Sequence, residues 1–133
     1  MEFDPKQFEI NDQDIKTELV KISGEYAHAI YRLTVAKVNA KKAEYRSRQV
    51  RSQQETQLRA QMEQLDMKVT ESRIKTQLDL VPAVEDADQA ALDREIEQLI
   101  AQGVVECFAK KKDLLISLNA MARSEMDNLK TLT

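Results

Sequence analysis

An all-α fold is predicted for this 133-residue chain by three observations. Only two glycines and two prolines punctuate it, aromatic residues make up just 5%, and apolar residues recur at steps of three and four with hardly any strand-like alternation. Sparse breakers combined with 32% charged residues describe long amphipathic helices joined by few turns. The expected architecture is a long helical hairpin with a short N-terminal helix, forming one domain over residues 1–133.

MEFDPKQFEI reads as a tail or docking segment, because Pro5 discourages an early helix and Phe3 and Phe8 are its only large apolar handles. Asn11 followed by Asp14 offers an N-cap and a first-turn acid, so a short helix is expected to begin near Asp12 and carry Ile15, Leu19, Val20 and Ile22. Ser23 and Gly24 are expected to end or bend it, closing an N-terminal region of residues 1–24.

Residues 25–81 contain neither Gly nor Pro and read as one long basic helix. Tyr26, Ala29, Leu33, Ala36, Ala40 and Ala43 fall on one helical stripe, which Ser47 and Val50 extend. The stripe lapses through SQQETQ and resumes in another phase at Leu58, Met62, Leu65 and Val69, so a break is expected within residues 52–57. Pro82 among acids marks the main reversal, with a C-terminal helix filling residues 82–133 from a start near Val84 to Asp88. Its stripe is Leu92, Ile96, Leu99, Gly103, Cys107, Leu114, Leu118 and Met121. A glycine inside such a stripe costs roughly 1 kcal/mol relative to alanine, and close approach of a neighbouring helix is the expected reason at Gly103. Met62, Met67, Met121 and Met126 are expected to fill core or interface.

Each alanine-rich stripe is narrow, so a lone hairpin leaves apolar surface for other subunits to cover. The expected oligomer interface comprises Leu33, Ala36, Ala40 and Ala43 on one helix and Leu99, Gly103, Cys107, Leu114 and Leu118 on the other.

Several function classes are disfavoured. Two isolated glycines cannot form a phosphate-cradling loop, and no Ser-His-acid set has credible helical geometry, so no enzyme and no cofactor are expected. Cys107 is the single cysteine, which rules out an intrachain disulfide or a cysteine-based metal site, and His28 is expected to be a structural residue. No stretch approaches the roughly 18 apolar residues of a membrane span, and no export signal is visible, so no membrane contact and a cytoplasmic location are expected.

The net charge of −3 conceals segregation. Residues 1–25 hold three cations and seven acids, 26–62 hold eight against two, and 82–109 hold one against seven. At about 100° per residue, Lys37, Lys41, Arg48 and Arg51 share one line on the long helix, with Lys42 and Arg46 flanking its other side. These six are the candidate DNA-binding residues, because each neutralised phosphate releases counterions and a row of cations gives salt-sensitive, sequence-independent binding. Repetition around a homo-oligomer would multiply the effect. Glu44 falls within the line and could neutralise Lys41 or Arg48, while Tyr45 could stack on a base or simply cover helix surface. A solvated face is the commoner fate of such charges, and Lys110, Lys111 and Lys112 are expected to be a solvated turn.

With these residues in hand, the chain resembles the UvsY family of phage recombination mediators over roughly residues 25–126. KKAEYRSR, residues 41–48, looks like the basic run near that family's nucleic-acid-binding motif, with Lys41, Lys42, Arg46 and Arg48 matching. SRIKTQL, residues 72–78, is similar to a second family segment at Ser72, Ile74 and Lys75, with Arg73 replacing an acid. LIAQGVVECFAKKKDLLISLNAM follows the family's pattern of an apolar helix, a Phe or Cys patch and a basic run before a final apolar turn. The resemblance implies a helical, ring-like homo-oligomer that binds single-stranded DNA and helps load a RecA-type recombinase onto strands covered by single-strand binding protein. It also implies work in the cytoplasm of a phage host. The rival reading is a coiled-coil structural or chaperone-like adaptor without nucleic-acid binding, in which the cations of 26–62 pair in cis with the acids of 82–109.

Overall fold

The structure, a computed structural model, describes residues 3–11 and 14–132, the side chain of Leu132 excepted. A single 3₁₀ turn, Pro5–Phe8, precedes three helices: α1 (Ile15–Gln64), α2 (Glu71–Asp79) and α3 (Pro82–Leu132). The two long helices, α1 and α3, pack as a hairpin. Among the described residues there is no strand, and no helix is long and apolar enough to cross a membrane.

The chain divides into two compact units, residues 1–35 with 99–133 and residues 36–98. In the first, Ile22 and Ala29 of α1 bury against Phe108 and Leu115 of α3, with Ile15, Leu19, Tyr26, Val104 and Val105 packed around them. Phe8 joins this cluster, its ring centroid 4.7 Å from that of Phe108, so the N-terminal segment is anchored as its aromatics predict. Asp4 caps the 3₁₀ turn by accepting from the Lys6 amide at 3.0 Å, and Pro5 fits the first position of the turn.

The expected helix start near Asp12 lies outside the described residues. Asp14 instead caps α1, accepting from the Thr17 amide through Oδ1 at 3.3 Å. No separate short helix ends at Ser23 and Gly24, because α1 runs straight through both. Gly24 has no positive φ, and the burial of Ile22 and Ala29 on either side offsets the roughly 1 kcal/mol that one helical glycine costs.

In the second unit, Val50 and Met62 of α1, Ile74 and Leu78 of α2 and Val84 of α3 form the buried core, with Leu58, Val69, Val81 and Ala87 around them. The break expected within 52–57 does not occur; α1 continues to Gln64. Val50, Gln54, Leu58 and Met62 recur every four residues with Gln54 half-buried, so one polar residue on the stripe hides its continuity. The chain turns at Asp66 instead. Asp66 has φ 51°, its amide donates to the Glu63 carbonyl at 3.2 Å, and the Met67 amide donates to the Met62 carbonyl at 3.0 Å. This is a Schellman closure built on an aspartate in the left-handed region that usually takes glycine. The long basic helix expected over 25–81 is therefore two helices. Thr70 caps the second through the Arg73 amide at 3.3 Å, and Arg59 pins it to α1 by bonding both Glu55 and Glu71. Pro82 is the first residue of α3, earlier than the expected start, since a residue lacking an N–H suits a position with no intrahelical acceptor. It does not mark the main reversal: Glu71, Asp79 and Asp88 meet Arg59, Arg51 and Ser47 in turn, so α2 already runs antiparallel to α1 and α3 continues in the same direction.

Candidate nucleic-acid interface

The six basic candidates all lie on α1 within the second unit. Their orientation follows from the small residues between them. Ala36 and Val50 are buried, while Ala40, Ala43 and Ser47 are half-buried, so that stripe turns inward and the cations occupy the rest of the circumference. Lys37 and Lys41 stand on one shoulder of the helix and Lys42 and Arg46 on the other. All four are exposed, and none has an ion-pair or hydrogen-bond partner among the described residues.

Arg48 and Arg51 differ. Arg48 donates to Glu44 one turn earlier, and the two charges largely cancel as seen from outside. Arg51 reaches Asp79 at 3.3 Å and Asp88 at 3.1 Å. Asp88 also accepts from the Ser47 hydroxyl, and this bond together with Arg51 holds its carboxyl below the usual carboxylate range against the opposing effect of burial. Arg51 is thus committed to carboxylates of the helices beside it, and the line of four expected on that shoulder reduces to Lys37 and Lys41. Asp79 and Asp88 are the members of the site that local spacing does not disclose. Beside Lys41, a groove is lined by Glu44, Asp88, Leu92 and Glu95, which makes that shoulder electrostatically mixed.

The expected oligomer residues separate in a similar way. Leu33 and Ala36 are buried within the chain itself and have almost no surface to offer another subunit. Ala40, Ala43, Gly103, Cys107 and Leu118 are half-buried, whereas Leu99 and Leu114 are 65% and 56% exposed. The residues that α3 buries in the first unit are Ala101, Phe108, Lys111 and Leu115, a stripe interleaved with the expected one. The expected stripe carries more large apolar residues, but the neighbouring one fits against α1, and Lys111 within it masks its apolar character. Nothing lies within 4 Å of a Cβ built on Gly103, so no helix of this chain approaches it closely. Of the four methionines expected to fill core or interface, Met62 is buried, while Met67, Met121 and Met126 are exposed.

Lys111 is also the largest departure from the expected solvated lysine run. It is the one buried charged side chain among the described residues, donating to the Gln7 carbonyl at 2.8 Å and pairing with Glu18 Oε2 at 3.0 Å. Its neighbour Lys112 lies over the Tyr26 ring, 5.8 Å from the centroid. Among the described residues no group of three or more His, Cys, Asp or Glu is placed to hold a metal ion.

Compared with known protein families, with curated proteins and with solved structures, the chain matches none.

Proposed function

We propose that this chain binds single-stranded DNA as a homo-oligomer and acts as a recombination mediator. In that role it promotes loading of a RecA-type recombinase onto strands covered by single-strand binding protein. The observation that carries the reading is the set of four exposed cations, Lys37, Lys41, Lys42 and Arg46, without partners among the described residues and held on one helical stretch in an otherwise acidic protein. Charges with a stabilising role inside the fold find carboxylates, as Arg51, Arg59 and Lys111 do; these four do not. The resemblance of KKAEYRSR to the mediator family's basic run supports the choice of DNA as the ligand. Exposed Leu99 and Leu114 on α3 support self-association, which would gather the cations of several copies onto one strand. Mediation requires no bond chemistry: an assembly that holds DNA in a form the recombinase captures and the covering protein grips poorly shifts the competition.

The test replaces Lys37, Lys41, Lys42 and Arg46 together by alanine and titrates fluorescent oligo(dT) at several salt concentrations, with light scattering for the mass. The parent should lose affinity log-linearly with salt at a slope of about −0.7 per phosphate contact, and the quadruple variant should retain mass and helicity but not DNA. Equal retention of oligo(dT) by both at moderate salt overturns the assignment.

A coiled-coil adaptor without nucleic-acid binding is the second reading. The Arg51 bonds to Asp79 and Asp88 favour it, since they neutralise one basic residue in cis. A parent with no measurable oligo(dT) affinity at low salt decides for it.

A further inference from the structure

Tyr45 stands between the two cationic shoulders of α1. At about 100° per residue its side chain projects roughly 40° from Lys41 on one side and 60° from Lys42 on the other, at the outermost crest of the helix. It is 64% exposed, and its hydroxyl has no hydrogen-bond partner among the described residues. Its nearest surface neighbours one turn away are Lys41, Lys42, Arg48 and Gln49; Arg48 is held by Glu44, so a ring face open to solvent stands between two exposed lysines suited to phosphate.

The other tyrosines lack this combination. Tyr26 packs into the core of the first unit with Lys112 over its ring. Tyr31 is equally exposed, but its neighbours one turn away are Ala27, His28, Thr34 and Val35, which include no lysine or arginine.

Resting on the single-stranded DNA reading above, we infer that Tyr45 is the base-stacking residue that makes this surface prefer unpaired strands over duplex. The chemistry is a division of labour. Lysine and arginine side chains neutralise phosphates and are indifferent to whether the bases are paired. A ring set between them can only engage a base whose face is free, and duplex DNA keeps its base faces inside its own stack. Stacking on an aromatic ring is tolerant of sequence because every base has a π-face, so the preference is for strandedness and not for sequence. The phenol oxygen plays no part, which makes phenylalanine a full substitute.

The experiment compares the parent with Tyr45→Ala and Tyr45→Phe in titrations with fluorescent oligo(dT) and with a duplex of the same length. Circular dichroism and light scattering confirm that helicity and mass are unchanged, as expected at an exposed helical position. Tyr45→Ala should bind oligo(dT) at least about fivefold more weakly, with the duplex affinity and the salt slope as in the parent, while Tyr45→Phe should match the parent. Quenching of tyrosine fluorescence on oligo(dT) addition should shrink in both variants, a readout available because the chain has no tryptophan. If the parent binds oligo(dT) and Tyr45→Ala binds it within about twofold, the stacking role is refuted while the DNA-binding reading stands. A phenylalanine variant as weak as the alanine variant likewise refutes it. A parent that binds no DNA sinks both proposals together.

Discussion

Lys111 Nζ lies 3.0 Å from Glu18 Oε2 in a seam where Lys111 is only 5% exposed, joining α3 to the first turn of α1. The same ammonium group donates to the Gln7 carbonyl, so one buried charge ties three segments of the first unit together. Removing one partner of such a pair leaves the other charged and poorly hydrated. Glu18→Gln is therefore expected to lower stability toward the bottom of the roughly 3–5 kcal/mol range for broken buried pairs, since the glutamate keeps some contact with water. The double change Lys111→Met with Glu18→Leu should sit much closer to the parent. Thermal unfolding followed by circular dichroism checks both; a glutamine variant with an unchanged midpoint would show that the pair contributes nothing net.

Asp66 sits at φ 51°, where an L-residue is strained and glycine is not. Asp66→Gly should stabilise the protein by about 0.5–1 kcal/mol, the relief of strain being partly offset by the greater freedom of glycine in the unfolded chain. Asp66→Val should destabilise by more than this, because a β-branched side chain fits that region worst. Urea unfolding of the two variants reads the difference, and a glycine variant less stable than the parent contradicts the account of the turn.

Asp88 links Ser47 and Arg51, and its carboxyl is held below the ordinary carboxylate range by the serine hydroxyl and the guanidinium. A depressed folded-state pKa means that the stabilisation is fully present above the unfolded value, near pH 4, and is lost as the pH falls through the folded value. The group is substantially solvated, so the contribution should stay within about 1 kcal/mol. Asp88→Asn should flatten that part of the acid limb of a stability-against-pH curve. The same substitution releases Arg51 from one of its two carboxylates and removes a negative charge beside Lys41. Oligo(dT) affinity at low salt should consequently rise a few-fold in Asp88→Asn, while Arg51→Ala should cost less affinity than Lys42→Ala. An Arg51→Ala loss equal to that of Lys42→Ala would mean that Arg51 leaves its carboxylates to grip DNA.

The helical class and the outward projection of Lys37, Lys41, Lys42 and Arg46 were legible in the sequence, because each depends on spacing within one helix, whereas the main reversal expected at Pro82 falls before α2, at Asp66. What was not legible depends on partners distant in the chain. Arg51 counts as a free cation until Asp79 and Asp88 arrive from 28 and 37 residues away. Lys111 occupies a regular place in the stripe formed by Ala101, Phe108 and Leu115, but its charge argues against burial until Glu18 and the Gln7 carbonyl are seen opposite it. The turn after Gln64 was missed for a local reason. Glycine is the usual signal for a left-handed helix end, and here aspartate supplies it, while the polar run at 52–57 imitates a break without containing a residue that stops a helix.

The acceptor that Lys111 finds in the N-terminal segment is a main-chain oxygen, and every amino acid carries one. Position 7 can therefore change identity freely in related chains without loosening this fastening. A gain or loss of one residue within Pro5–Phe8 is another matter, for it would change the spacing between the carbonyl that Lys111 takes and the ring that packs on Phe108. Natural variation in this stretch should accordingly show many exchanges of letters and almost no indels.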